Sequence, residues 1–265
     1  TPPFYGSVDL RNSGFKLAPV DMNLFPGGFN NLSSDFLPLA VQATQSALEK
    51  ICPEARSVLL VPENHTRNTF YLRNVAALKQ ILELAGLKVR LGSLSPDITA
   101  PTVLELGDGE TLTVEPIVRH GHRISLGDDF NPCVVLLNND LSAGVPDILR
   151  NVDQAVLPPL HGGWAVRRKS NHFAAYDQVA SEFAELIGID PWFINPLFNG
   201  CKGLDFHQRQ GEEALAEVVD QMLGKIASKY REHKIDAKPF VIVKADAGTY
   251  GMGIMSVKDA RDVIG

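Results

Sequence analysis

Three cysteines, Cys52, Cys133 and Cys201, are all that the chain has, and they lie far apart with no Cys-x-x-Cys pair. An odd, scattered set argues against a structural disulfide framework and for a reducing cytosol. Blocks of like charge are absent, and the formal net charge is −6. No nucleic acid and no membrane partner is therefore expected, although a local basic pocket is compatible with this balance. No apolar run approaches the ~20 residues of a membrane-spanning helix. The opening Thr1-Pro2-Pro3-Phe4-Tyr5 lacks the form of a signal peptide. It also lacks Met, so a trimmed N-terminus is expected. There is no Gly-Lys-Ser/Thr, which excludes a Walker A loop. The chain's densest glycine motif is read as followed by a strand rather than a helix, which excludes a dinucleotide fingerprint.

That glycine motif is what the chain offers instead: Lys238-Pro239-Phe240-Val241-Ile242-Val243-Lys244-Ala245-Asp246-Ala247-Gly248-Thr249-Tyr250-Gly251-Met252-Gly253-Ile254. Phe240 to Val243 is short, apolar and partly β-branched, which predicts a buried strand. Lys244 ends it. Gly248, Gly251 and Gly253 let backbone approach a ligand, exposed N–H groups can hold phosphate oxygens, and a lysine beside them supplies countercharge. The pattern suits a nucleotide triphosphate; a plain glycine-rich hairpin is the alternative.

With 265 residues the chain can hold one large domain or two. Residues 1–34 are rich in Gly, Pro and Asn, with a short strand expected at 15–20. The loop Val20-Asp21-Met22-Asn23-Leu24-Phe25-Pro26-Gly27-Gly28-Phe29-Asn30-Asn31-Leu32 mixes a carboxylate, asparagines, aromatics and a Gly-Gly pair. It reads either as a small-molecule pocket or as a packed surface loop whose Asn and Asp residues satisfy turns. Then come a helix at 35–51, a strand at 57–61, a helix at 69–85 and a strand at 87–91, a unit that predicts a parallel crossover. Ligands in such sheets bind beyond the carboxyl ends of strands, which makes Glu63, Asn64, His65, Arg67 and Asn68 second-rank candidates, with a helix-capping turn as the alternative. A hairpin over 102–118 turning at Asp108-Gly109, a strand at 132–137 and one at 155–157 follow. His120-Gly121-His122 could ligate a metal, but the spacing alone favours an exposed loop. Past His161-Gly162-Gly163-Trp164 the period changes to helices at 173–187 and 212–230, with the cationic Arg167-Arg168-Lys169 meeting either solvent or an anion. A last helix is expected to start at 257–264.

In this order the second half resembles the ATP-grasp superfamily: a polar helix start at 171–173, Gly188-Ile189-Asp190-Pro191, a long helix, then the proline-led strand, Lys244 and the glycine loop. The wording of 20–32, of Pro62-Glu63-Asn64-His65-Thr66-Arg67-Asn68 and of 244–253 is similar to a proteobacterial family of glutamate–cysteine ligases from glutathione biosynthesis. The resemblance implies an α/β fold, with a Rossmann-like pre-ATP-grasp domain over 1–164 followed by the first part of an ATP-grasp domain over 165–265. It implies a cytoplasmic ligase using ATP and Mg2+ on glutamate and cysteine through an acyl phosphate. Another ATP-grasp ligase, such as a glutathione synthetase, or a binding module without chemistry are the competing readings. Lys244 maps to the phosphate lysine, and Gly248, Thr249, Tyr250, Gly251, Met252 and Gly253 to the lid over the triphosphate. Arg11, Asp21, Asn23 and Arg67 are the expected amino-acid contacts, arginine for carboxylates and Asp21 for an ammonium. The chain stops at Gly265, roughly where the family's magnesium ligands and adenine pocket would begin, so those are expected beyond it. No oligomeric state follows from the sequence.

Overall fold

The structure is a computed structural model that describes residues 3–64, 67–107, 109–206, 208–247 and 254–264. The first strands, β1 (Ser7–Asn12) and β2 (Leu17–Asn23), pair with each other. The chain reverses between them where Gly14 takes φ 86° and donates its N–H to Asn12 Oδ1 at 2.8 Å. The sequence predicts only the second strand. β1 carries Val8 and Leu10 about half exposed, so no buried stripe marks it.

Helix α1 (Leu37–Ile51) follows a 3-10 turn at Ser34–Phe36, capped by Ser33, whose hydroxyl accepts the Asp35 N–H. Next come β3 (Ser57–Pro62), α2 (Thr69–Leu84), β4 (Lys88–Ser93), and the hairpin of β5 (Thr102–Gly107) and β6 (Glu110–Pro116). A small hairpin of β7 (Val118–His120) and β8 (Arg123–Ser125), then β9 (Val134–Asn138) and β10 (Ala155–Leu157), complete this part. Six strands form one sheet in the order β10-β9-β3-β4-β6-β5, parallel except for β5. The strand–helix–strand unit β3–α2–β4 is parallel, as expected. Asp108, the expected turn residue of the β5–β6 hairpin, lies outside the described residues.

β3 sits at the centre, and Val58 to Val61 are fully buried. Successive side chains point to opposite faces. Val58 and Leu60 join α1 and α2 through Leu48, Leu72, Val75 and Leu78, while Leu59 and Val61 pack with Ile124, Leu126, Phe130 and Trp164 on the other face. Burying each such aliphatic side chain is worth roughly 1.5–3 kcal/mol. Gly92 in β4 is required by this packing: a Cβ there would lie 2.7 Å from both Ile117 Cγ1 and Leu59 Cδ1. Gly92→Ala is expected to lower unfolding free energy by ~1–3 kcal/mol through overpacking, read as a lower urea midpoint.

The remaining elements are α3 (Lys169–Ile187), ended by Gly188 at φ 72°, α4 (Glu212–Glu232), β11 (Val241–Val243) and β12 (Met255–Val257). β11 and β12 pair antiparallel. Leu215 and Val219 of α4 bury against Val257 and Val263, with Val241 and Val243 alongside. The expected buried strand at 240–243 is half right. Phe240 and Ile242 are 48% and 44% exposed, because β11 has a covered face and an open one. The expected helix at 257–264 is replaced: Val257 ends β12, and a 3-10 turn at Ala260–Val263 begins from a capping box between Asp259 and Asp262.

The chain forms two compact units, Thr1–Val8 with Met22–Val166, and Asp9–Asp21 with Arg167–Gly265. Most of the β1–β2 hairpin thus belongs with the C-terminal elements. Its tip is held by aromatics: Phe15 stacks on Trp192 at 6.1 Å and meets Tyr230 edge-on, and Lys16 Nζ lies 4.6 Å from the Trp192 ring. Burial pushes the Lys16 ammonium down to about 8, with Asp190 opposing.

Candidate functional site

In the second unit the end of β11 meets the start of α3. The Lys169 N–H donates to Asp246 O at 3.0 Å, and the Ser170 N–H to Asp246 Oδ1 at 2.8 Å. Arg168, at the N-cap of α3, makes no side-chain cap, so Asp246 serves that end of the helix from a remote loop, where an anion is favoured. Burial works against the Asp246 carboxylate, but Ser170, then Arg168 and Lys169, hold its pKa below the usual range.

Around this junction cations collect. Lys244 Nζ donates to Val20 O of β2 at 3.2 Å. Burial lowers the Lys169 pKa; Lys244 and Arg167 lower it further, while Asp21 and Asp246 oppose. Burial also lowers the Arg167 pKa against the pull of Asp21, and burial and then Arg167 lower that of His172. Half-buried cations that repel one another are stabilised by a multivalent anion such as a polyphosphate. Of Arg167-Arg168-Lys169, Arg167 and Lys169 are within electrostatic reach of the chain's own Asp21. Asp246 was missed in the sequence. Its signal was only its place in the loop between Lys244 and the glycines.

The expected lid residues Gly248, Thr249, Tyr250, Gly251, Met252 and Gly253 lie outside the described residues, as do His65 and Thr66. The four expected amino-acid contacts are divided between the units. Arg11 and Asp21 fall in the second, Asn23 and Arg67 in the first. Asp21 is within electrostatic reach of Arg167, Lys169 and His172, so the chain's own cations already meet its charge. Arg11 is exposed and donates to Leu10 O at 3.3 Å. Asn23 closes its own turn, with Oδ1 accepting the Phe25 N–H at 2.9 Å and Nδ2 donating to Phe25 O at 3.0 Å. Arg67 is exposed ahead of α2, and Asn68 caps that helix by accepting the Tyr71 N–H.

In the first unit a second polar centre stands where β3 and β9 end. The Tyr71 hydroxyl accepts the Glu63 N–H at 2.8 Å and donates toward Asn138 O and Oδ1 at 2.9 and 3.0 Å. Asn74 Nδ2 donates to Asn138 Oδ1 at 3.2 Å, and Asn138 Nδ2 to Pro26 O at 2.8 Å. Asn74 Oδ1 accepts the Phe29 N–H at 2.9 Å. Two buried amides and a tyrosine thus fix the loop after β2 onto the strand ends. Between Gly27, Gly28, Asn30 and Asn31 of that loop and Phe70, Tyr71 and Asn74 of α2 lies an open concavity of about 270 Å³. In this loop Asn23 satisfies a turn, and Gly27, Gly28, Asn30 and Asn31 line the concavity.

Glu63 Oε1 accepts the Asp140 N–H at 2.5 Å. Burial, and the charge and side-chain contact of Asp140, push the Glu63 carboxyl up to about 7, against the pull of that N–H. A raised folded pKa means that stability is lost as pH rises from the unfolded value near 4.5 and is fully gone above about 7. Glu63→Gln is expected to abolish that loss. The variant should gain ~1–2 kcal/mol on the parent between pH 5 and pH 8, after allowance for solvent screening, as measured by denaturant titration.

A divalent cation has one place to be tested among the described residues, Asp190, Glu232 and His233, whose donor atoms lie within 4.8 Å of one another. Lys229 Nζ is already there, 2.6 Å from Asp190 Oδ2 and 3.0 Å from Glu232 Oε2. This is an ion-pair network whose cation is a lysine, so it does not fit the expected magnesium. His120 and His122 are exposed and flank the β7–β8 turn, with His122 Nδ1 3.1 Å from Asn151 O, as an exposed loop predicts. No helix among the described residues is long and apolar enough to cross a membrane.

No curated protein matches the chain. A solved structure from Methylobacillus flagellatus KT, provisionally assigned as a gamma-glutamylcysteine synthetase, is 66% identical, with a TM-score of 0.93 over 98% of this chain. The match covers 61% of that protein, so the chain spans about three fifths of its length. The sequence profile of the glutamate-cysteine ligase (GshA) family matches residues 1–265. With the profile matched from end to end, the chain belongs to the glutamate-cysteine ligase family.

Proposed function

We propose that the protein carrying this chain is an ATP-dependent ligase of the ATP-grasp type that joins the γ-carboxylate of glutamate to the amine of cysteine, the first step of glutathione synthesis. The observation that carries the reading is the cation cluster of Lys244, Lys169 and Arg167 beside a glycine-rich stretch, in a chain of this family. In the proposed reaction the glutamate carboxylate takes the γ-phosphoryl group of ATP, and the cysteine amine then displaces phosphate. The chain's part is to position charge and neutralise it. Lys244 and Lys169 hold phosphate oxygens, Asp246 fixes the α3 start that carries Lys169, and Asp21 orients the cations around it.

On the same reading the first unit is the Rossmann-like pre-ATP-grasp part, bounded near residue 164, and the second begins the ATP-grasp part. The glycines at 248–253 cover the triphosphate, and Arg11 and Arg67 reach substrate carboxylates. Mg2+ is part of the proposed chemistry, but no described residue is assigned to it. Three thiols, none of them in a disulfide, support a cytoplasmic setting. The test is phosphate release by the full-length protein with glutamate plus cysteine, against other amino-acid pairs including γ-glutamylcysteine plus glycine. Release confined to the first pair is expected. No release with that pair would sink the assignment, and release with another pair would move it to a different ligase.

A further inference from the structure

Helix α3 is apolar around half of its circumference and covered over much less of it. At 3.6 residues per turn, Phe173, Ala180 and Ala184 share one continuous arc with Val179, Phe183, Leu186 and Ile187. The inner part of that arc is closed: Ala180 and Ala184 are buried, and the Phe173 ring stacks on Phe198 at 5.8 Å. The outer part is open. Leu186 is 82% exposed and Val179 60%, with Phe183 and Ile187 about half. The opposite side of the helix is polar and bonds within itself. Gln178 Nε2 donates to Glu182 Oε1 at 2.9 Å, and the Ser181 hydroxyl to Asp177 O at 2.8 Å. One exposed apolar side chain is ordinary, but a contiguous patch marks an interaction surface.

The length of the solved relative points to what covers this patch. The chain corresponds to 61% of that protein, so about two fifths of such a protein lies outside residues 1–265. At the C-terminal end, Val263 is buried with Leu215 and Val219 of α4. Polypeptide that continues past residue 265 therefore leaves from the unit that holds α3, whereas polypeptide ahead of β1 would enter the other unit. A second copy of the chain fits the patch less well. Val179 to Ile187 span about 14 Å of a helix about 10 Å across, a footprint of roughly 150 Å². A stable interface between separate molecules takes ~800 Å² from each partner. A tethered segment needs no such area, because its effective concentration is set by the tether. Glu182 and Glu185 flank the arc, and residues 178–187 hold no lysine or arginine. A second copy would bring the same acidic margin, on a chain with a net charge of −6.

We propose that Val179, Phe183, Leu186 and Ile187 form the docking face for the polypeptide that follows residue 265 in the full-length protein. That segment lays an apolar face on the open arc and brings lysine or arginine beside Glu182 and Glu185. Docking closes the second half of the apolar arc, so that only the polar side of α3 stays in water. The same helix carries Lys169 in its first turn, so the docked segment also steadies the helix that presents this cation.

The experiment is photo-crosslinking in the full-length protein, with p-benzoyl-phenylalanine placed at Phe183 and, separately, at Leu186, followed by peptide mapping. Cross-links to peptides beyond residue 265 of the same chain are expected from both positions. Cross-links confined to residues 1–265 overturn the proposal. Cross-links that join two chains, with a mass that falls to the monomer on dilution, overturn it in favour of a second copy. Thiol labelling checks the face without a bulky group. Leu186→Cys in native full-length protein is expected to react with a maleimide about a hundredfold or more slowly than in the urea-unfolded protein, since labelling must wait for local opening. A native rate within about threefold of the unfolded one would show that the face stands in water, and the docking assignment would fail.

Discussion

Replacing Lys244 with alanine is expected to slow phosphate release by about a hundredfold or more, the typical cost of one preorganised contact to developing charge. The side chain sits at the end of β11, and its ammonium is fixed by Val20 O at 3.2 Å. That tether leaves other hydrogens of the ammonium to point elsewhere, since a lysine carries three donors. Lys169 and Arg167 share the same field, so their removal is expected to be non-additive with that of Lys244. The effect should appear in kcat and in kcat/KM for ATP, with the KM values of the amino acids little changed. Normal ATP affinity and turnover in the variant would show that the strand lysine and its glycine stretch do not serve phosphate.

The second large effect is on stability. Asn138→Ala is expected to cost ~2–4 kcal/mol. Asn138 is 3% exposed, and its amide accepts from Asn74 and Tyr71 and donates to Pro26 O. Truncation strands the Pro26 carbonyl and the Asn74 amide in a buried place, at about 1–3 kcal/mol for each group left unpaired. A lower denaturant midpoint with an unchanged slope would report this. A cost below about 1 kcal/mol would mean that the loop after β2 is held by its apolar contacts and not by the amide network. Nearby side chains should feel the loss too, because the same network sets the position of Tyr71.

Much of the first unit is legible in the sequence because its signals are local. Val58 to Val61 is an unbroken apolar run, Thr69 to Leu84 has a helical stripe, and Ser33 and Asn68 are cap residues in plain view. The hairpin at the N-terminus is less legible, since Val8 and Leu10 stay half exposed and Phe15 finds its partner 177 residues away at Trp192. The candidate site divides the same way. Lys244 is marked by the strand before it and the glycines after it. Asp246 is marked only by its place between Lys244 and the glycines, since it acts on Ser170 at the start of α3, 76 residues earlier, and Asp140, whose N–H meets Glu63 77 residues before it, is marked by nothing local. Asn23 has its local role fixed only by the structure, where its amide closes a turn with Phe25, a partner that composition does not reveal.

Residues 9–21 lie in the second unit, while the segments on either side of them in sequence lie in the first. The polypeptide therefore crosses between the units three times, after Val8, after Asp21 and after Val166. A single proteolytic nick or gene truncation cannot separate such a protein into two intact halves. A fragment ending at Val166 would keep Phe15 and Lys16 without Trp192 and Tyr230 to cover them, and a fragment starting at Arg167 would lose Asp21 and the Val20 carbonyl that steadies Lys244. Neither unit is one contiguous stretch of the chain, so no single cut yields either of them whole.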